Sequence, residues 1–336
     1  MSFFRVLAGG LVILMGAGAA VWWAYGRSIE VSTVAAERGT AAEIVYATGT
    51  VEPVRWAKVA SVIRARIIEI CDCEGKSLKK GDVLARLDDR EVRAQLTELK
   101  AREEFAQREL SRVTELIGRG ASTTQAHERA SMDLRQSQGL ISVLMEKIGN
   151  YVIVSPMDGV VLRRDGEIGE IAEAGQVLFR VGVPKPLRVV AEVNEEDIPR
   201  VALGQKTLLR TDAFLGHPLE GMVSEITPMG DPAAKTYRIR VALPDDTPLK
   251  PGMSVEANVV TREKPGALVI PAEAAQGTTV FAIRGDRAER RAITIGIRGP
   301  RAIEVVSGLS EGERVVVPFP SPLRDGSRVR AIERPR

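Results

Sequence analysis

The chain has 336 residues, enough for about two or three ordinary domains. Its 44% hydrophobic and 27% charged residues mark a folding composition, and only 4% aromatics favours several small modules over one large core. Basic residues (47) and acidic residues (44) nearly cancel to a net charge of +3, which leaves no electrostatic footprint for nucleic acid. Two histidines and two cysteines are too few for the common zinc or iron–sulfur sites.

At the N-terminus, Arg5 is followed by an uncharged run from Val6 to Tyr25, and the next charge is Arg27. As a helix this run would reach roughly 30 Å, the thickness of the hydrocarbon layer. Trp22, Trp23 and Tyr25 stand at its far end, where an aromatic belt forms. Residues 1–26 are thus predicted to be one N-terminal transmembrane helix, with Arg5 in the cytoplasm and the body across the membrane. A cleaved signal peptide with Ala17-Gly18-Ala19 as its processing site is the other reading; the length of the run and the Trp pair favour the anchor. No cysteine follows the run, which excludes a lipoprotein anchor.

Further along, Glu74–Leu87 matches Ile168–Val181 at one fixed offset. Gly75/Gly169, Gly81/Gly175, Val83/Val177, Leu84/Leu178 and Arg86/Arg180 are identical pairs, and Ser61/Ser155 extends the register. Each copy reads as strand, turn, Gly-centred turn and strand, with glycines where φ > 0 is required. Two such copies facing each other build a flattened β-sandwich of the biotinyl/lipoyl type.

Between the copies, residues 89–149 change character. Val92, Leu96, Leu99, Ala106, Leu110, Val113 and Ile117 follow a 4-3 alternation broken at Glu103. After the turn Gly118-Arg119-Gly120, a weaker seam runs through Ala130, Leu134, Ser137, Ile141, Leu144 and Ile148. Charged residues fill the outer positions. This predicts an antiparallel coiled-coil hairpin, each arm of about 28 residues reaching about 40 Å; an ordinary helix pair packed on a domain is the plainer alternative. The hairpin replaces the turn that carries the modified lysine in a lipoyl carrier, so no lysine is presented for acylation.

These features resemble the membrane fusion proteins, the periplasmic adaptors of HlyD-like and RND type in bacterial efflux and secretion systems. Thr48–Pro53 looks like the family's entry into the lipoyl-like domain, and Ser155–Val160 like the start of its second half. Ala191–Ile198 with Gly204-Gln205 is similar to the opening of its β-barrel, and Leu249–Val255 to the closing strand. Ile270-Pro271, Gly308-Leu309 and Glu311-Gly312 look like its membrane-proximal domain. Ala65 departs from the glycine expected to match Gly159.

The resemblance implies a mainly β fold with a coiled-coil α-hairpin. Residues 1–26 would be the anchor, 46–88 and 150–185 the lipoyl-like sandwich, and 89–149 the hairpin. Residues 186–262 would form a small antiparallel β-barrel, and 27–45 with 263–336 the membrane-proximal β domain. It implies an inner-membrane adaptor with its bulk in the periplasm, linking an inner-membrane ABC or RND transporter to a TolC-type outer-membrane channel as a hexameric ring. The compact hairpin leans toward the cassette exporter.

Adaptors that meet such a channel show an arginine, a leucine four residues on and a serine seven further. Arg112, Leu116 and Thr123 stand at that spacing around the turn. The resemblance makes them the channel contact, with Leu116 burying apolar area and Arg112 and Thr123 hydrogen-bonding to the channel. Without it they read as a seam leucine, a solvated arginine and a helix N-cap.

Cys71 and Cys73 fall two apart in a predicted strand, on one face, where a bridge would be strained; they read as ordinary strand residues before a reactive or metal-binding pair. His127 near the turn reads as a surface or seam residue, and His217 as a loop residue. No nucleophile with a base, phosphate loop or paired carboxylates occurs, which agrees with a non-enzymatic protein without a cofactor. The alternative function is a substrate- or metal-binding periplasmic accessory of a pump, but Arg27–Gly39 holds no Met/His/Cys cluster to support it.

Overall fold

A computed structural model describes residues 28–214, 216, 219–320 and 323–333. The anchor predicted over 1–26 and His217 lie outside them. No helix among the described residues is long and apolar enough to cross a membrane. The chain divides into two compact units. Among the described residues, one comprises those from 28 to 51, those from 189 to 248 and those from 252 to 333; the other comprises Glu52–Arg188 with Leu249–Pro251.

The first strands are β1 (Ile29–Ala35) and the long β2 (Glu37–Pro53). Four short strands follow: β3 (Trp56–Ala60), β4 (Ala65–Ile70), β5 (Ser77–Leu78) and β6 (Val83–Leu87). Helices α1 (Arg90–Gly118) and α2 (Thr124–Gly149) come next. After them the pattern repeats as β7 (Val152–Val154), β8 (Gly159–Arg164), β9 (Ile171–Ala172) and β10 (Val177–Gly182). These eight short strands form two four-stranded sheets, β3-β10-β8-β5 and β7-β6-β4-β9, each drawing strands from both halves.

The repeat decides how this sandwich packs. Its core joins Val59, Ile67, Leu84, Ala85 and Leu87 to Ile153, Val161, Leu178, Phe179 and Val181, which are the same five positions in each copy. The paired serines behave alike. Ser61 Oγ donates to the Ile63 carbonyl and Ser155 Oγ to the Met157 carbonyl, both at 2.6 Å. The turn glycines cross over between the copies: Gly81 N–H donates to the Ser155 carbonyl and Gly175 N–H to the Ser61 carbonyl, each at 2.8 Å. Gly81 (φ 91°) and Gly175 (φ 86°) are in the left-handed region, so the identical glycines answer a backbone demand.

The Ala65 departure has a local cause. A Cβ on Gly159 would stand 2.6 Å from the Gly182 carbonyl oxygen. In the first copy the same two positions are Ala65 and Asp88, and there the backbone tolerates the extra carbon. Gly159→Ala is accordingly expected to lower stability by about 1–3 kcal/mol through backbone displacement. Ala65→Gly should cost no more than about 1 kcal/mol. Urea unfolding of the two variants side by side checks the asymmetry.

Two sequence expectations are corrected. Cys71 and Cys73 lie beyond the end of β4 and are joined as a disulfide, with Cα atoms 5.2 Å apart. The chain has left the extended conformation there, so the two residues stand closer than strand positions two apart, at about 6.6 Å. Residues 46–51, assigned to the sandwich, instead continue β2: Tyr46 pairs with Asn258, Ala47 with Ala257 and Thr50 with Ser254. No turn signal interrupts β2 before Pro53, so the strand runs through the expected border.

The second group of strands is β11 (Leu187–Asn194), β12 (Lys206–Arg210), β13 (Leu219–Ile226), β14 (Thr236–Ala242) and the long β15 (Ser254–Pro271). With β2 they follow the order β12-β13-β14-β11-β2-β15, and β15 pairs back onto β12, which closes a barrel. Alternate residues fill its interior, among them Val45, Ala47, Ala191, Val193, Leu209, Val241, Ala257 and Val259. Gly49 allows the close approach of β11, since a Cβ there would meet the Val190 carbonyl oxygen at 2.5 Å.

The last strands are β16 (Ala275–Gln276), β17 (Thr279–Arg284), β18 (Arg287–Ala292), β19 (Thr294–Arg298), β20 (Ala302–Ser307), β21 (Arg314–Val316) and β22 (Ser327–Glu333). β19 and β20 extend the barrel sheet from β15, while the others form a sheet with β1 in the order β16-β17-β18-β22-β1-β21. β1 lies parallel to β22 and antiparallel to β21. Phe281 and Phe319, 5.2 Å apart between ring centroids, stand in its apolar core.

Glu304 on β20 is a buried carboxylate with full company. It accepts from Lys264 Nζ and, at 2.9 Å, from the Ile297 N–H, and a Cβ on Gly296 would overlap it. The Lys264 hydrogen bond first, then the Ile297 N–H, hold its carboxyl below the usual value of 4.5. A carboxylate with a lowered folded pKa stabilises the fold above its unfolded pKa, and that contribution is lost as pH falls through the folded value. Glu304→Gln should therefore flatten the fall in melting temperature below about pH 4.5. Thermal melts of both proteins at descending pH check this.

Candidate functional site

The hairpin tip is built by local rules. The buried positions of α1 are Val92, Ala106 and Val113, and those of α2 are Ala130, Leu134, Ile141 and Leu144. These belong to the two predicted seams, and Leu96, Leu99, Leu110, Ile117, Ser137 and Ile148 are half-buried beside them. Glu103, the break in the alternation, meets Gln138, whose Nε2 donates to Glu103 Oε1 at 3.2 Å. Sequence reasoning found the break and missed this partner. The polar position is satisfied across the seam, which is the usual condition for keeping one there.

At the far end α1 closes on Arg119 and Gly120. The N–H groups of Arg119 and Ala121 both donate to the Leu116 carbonyl, at 3.2 and 2.8 Å. Gly120 has φ 74° and turns the chain. Thr123 is the N-cap of α2, its Oγ accepting from the Ala126 N–H at 3.2 Å. His127 follows in the first turn and is half-buried.

Of the three predicted contact residues, Leu116 is half-buried within the last turn of α1, and Thr123 is exposed on the other arm. Arg112 lies one turn before Leu116 on the same side of α1. It is exposed and ion-paired to Glu109 at 2.7 Å. That hydrogen bond raises the Arg112 pKa further above its ordinary value, so the guanidinium is a permanent cation. The fold brings all three to one end of the hairpin without linking them. Thr123 also performs the cap role, and its own hydroxyl proton has no acceptor among the described residues. The tip thus offers an apolar side chain, a cation and one free donor.

A family model, the CusB-like β-barrel domain, matches residues 186–263. Nodulation protein NolF of Rhizobium meliloti is 26% identical over 313 residues, which cover 87% of this chain and 84% of NolF. Multidrug resistance protein MdtA of Yersinia pseudotuberculosis is 25% identical over 343 residues, 91% of this chain and 77% of MdtA. The chain belongs to the membrane fusion proteins, the periplasmic adaptors. Among solved structures this adaptor shares its fold with a MacA–MexA chimera carrying the Pseudomonas aeruginosa MexA α-hairpin, at a TM-score of 0.60 and 24% identity over 85% of this chain and 99% of the chimera. MacA of Actinobacillus actinomycetemcomitans matches at a TM-score of 0.54 and 23% identity, over 84% of this chain and 98% of MacA.

Proposed function

We propose that this adaptor links a transporter of the inner membrane to a TolC-type outer-membrane channel, with the hairpin tip as the channel contact. The observation that carries the tip assignment is the division of labour along the hairpin. Below the turn the seam closes on itself, whereas at the turn Leu116 keeps apolar surface in solvent between the exposed, Glu109-paired guanidinium of Arg112 and the hydroxyl donor of Thr123. Apolar surface rimmed by polar groups is the ordinary signature of a docking site.

The driver is proposed to be an RND pump. The family model matched by residues 186–263 is one of RND-adaptor barrels, and this outweighs the lean toward a cassette exporter drawn from the compact hairpin. Residues 1–26 are proposed to hold the chain in the inner membrane, with the body in the periplasm and six copies in a ring. A cargo among small toxic compounds is in keeping with the multidrug-resistance name of MdtA. The adaptor carries out no chemistry of its own in this reading.

Photo-crosslinkers at Arg119 and Gln125, with Arg298 as the control position, test the reading in membranes that hold the adaptor, its pump and its channel. Crosslinks from the two tip positions to an outer-membrane protein, absent at Arg298, are the expected result. Capture at Arg298 alone would reduce the chain to a pump accessory and remove the tip assignment.

A further inference from the structure

The outer face of the barrel carries a polar cluster away from the hairpin tip. Along β15, Val255, Ala257 and Val259 fill the interior, so Glu256 and Asn258 belong to the outer face. Tyr46 stands across the ladder from Asn258, and Thr48 across from Glu256. Glu192 and Asn194 come from β11. Together they line a cavity of about 390 Å³ on this face, a size that suits part of a small organic molecule.

The charge of the cluster is one-sided. Glu192 and Glu256 are exposed and take part in no ion pair among the described residues. Asn258 is only 9% exposed, yet its Oδ1 has no hydrogen-bond partner. Buried carbonyl oxygens are nearly always satisfied, so this one marks a place where a donor is missing. Two carboxylates and this carbonyl oxygen make the cluster negative and rich in acceptors, while Tyr46, Thr48 and the two asparagine amides add only neutral donors. Tyr46, 59% exposed, adds an aromatic face that attracts cations. The cavity opens into a wider trough where Ile44, Leu208 and Phe214 supply apolar surface. Arg210 is the ladder partner of Glu256 and lines that trough, but forms no ion pair with it.

We propose that this face binds a small amphipathic ammonium compound. Its protonated amine would lie among Glu192, Glu256 and Asn258 Oδ1 with Tyr46 against it. Its apolar body would lie along Ile44, Leu208 and Phe214. The site gives the adaptor a direct hold on cationic cargo, beyond its role as a link.

The test uses the full-length adaptor in nanodiscs of zwitterionic lipid, with dansylcadaverine as the probe and N-butyl dansylamide as its neutral counterpart. Fluorescence polarisation, corrected for empty discs, reads the affinity. Saturable binding is expected, with the neutral compound weaker by about tenfold or more. The double variant E192Q/E256Q should lose about tenfold, and Tyr46→Ala about threefold. Asn258→Leu should weaken binding without lowering the melting temperature, since it removes an unsatisfied group. Arg210→Gln should leave binding unchanged or tighten it. Equal affinity for the neutral compound, or loss of binding in Arg210→Gln, would overturn the proposal. So would a double variant that binds the probe normally but sediments as a smaller oligomer, because the face would then be an interface between copies. Should the double variant fail to fold, the exposed Tyr46→Ala decides alone.

Discussion

Phe179→Ala is expected to destabilise the lipoyl-like sandwich by about 3–5 kcal/mol, the range for removing a fully buried aromatic ring. Phe179 is completely buried in a core that also holds Leu84, Ile67, Leu178 and Val161. Its mate in the first copy is Ala85, itself buried in the same core. The repeat therefore supplies the large side chain once, from β10, and leaves a small one at the equivalent place on β6. Deleting the ring leaves a cavity that two four-stranded sheets cannot close without moving both. Ala85→Phe alone should overpack the core and cost about 1–3 kcal/mol. If the two copies are interchangeable in packing, the double variant Ala85→Phe/Phe179→Ala recovers part of the loss. Calorimetric unfolding of the three variants measures this. A double variant no better than the sum of its parts would mean that the strands flanking each site, not its volume, set the choice.

The sandwich was legible because its signal is covalent order: identical glycines and serines at one offset impose the same turns twice, and the structure uses them for the same hydrogen bonds. The hairpin was legible because a narrow seam over long arms has one helical solution. The borders were not, because β2 runs on without a turn residue where the sequence reading ended a domain, and β15 takes Pro265-Gly266 as a bulge and continues. The Cys71–Cys73 bond was missed because strand spacing was assumed as far as Cys73, three residues past the end of β4 at Ile70. The outer-face cluster of the barrel was invisible for a different reason. Tyr46, Glu192 and Asn258 come from three strands distant in sequence, and only the pairing of β2 with β11 and β15 brings them together. The one local hint was Asn258, a polar residue within the otherwise apolar stretch Ala257–Val260.

At the tip, the two roles of Thr123 can be separated, and the separation carries the strongest functional expectation. Its Oγ accepts from the Ala126 N–H, a cap whose removal in Thr123→Ala should cost about 1 kcal/mol. Thr123→Asp keeps a capping acceptor but has no proton to give, whereas Thr123→Ser keeps both. If the tip docks on the channel through that proton, Asp should cut channel capture severalfold at unchanged stability, and Ser should not. Leu116→Asp should go further. Leu116 is half-exposed beside the end of α1, so the change should cost no more than about 2 kcal/mol in stability. It would place a charge in the middle of the contact, where loss of capture by tenfold or more is expected. Arg112→Glu adds a like charge beside Glu109 and should weaken capture with little effect on the fold, because the pair it breaks is exposed. Channel capture in membranes, read beside the melting temperature of each variant, distinguishes docking from capping. Equal capture by Thr123→Asp and Thr123→Ser would restrict Thr123 to its cap and leave Leu116 and Arg112 to carry the contact.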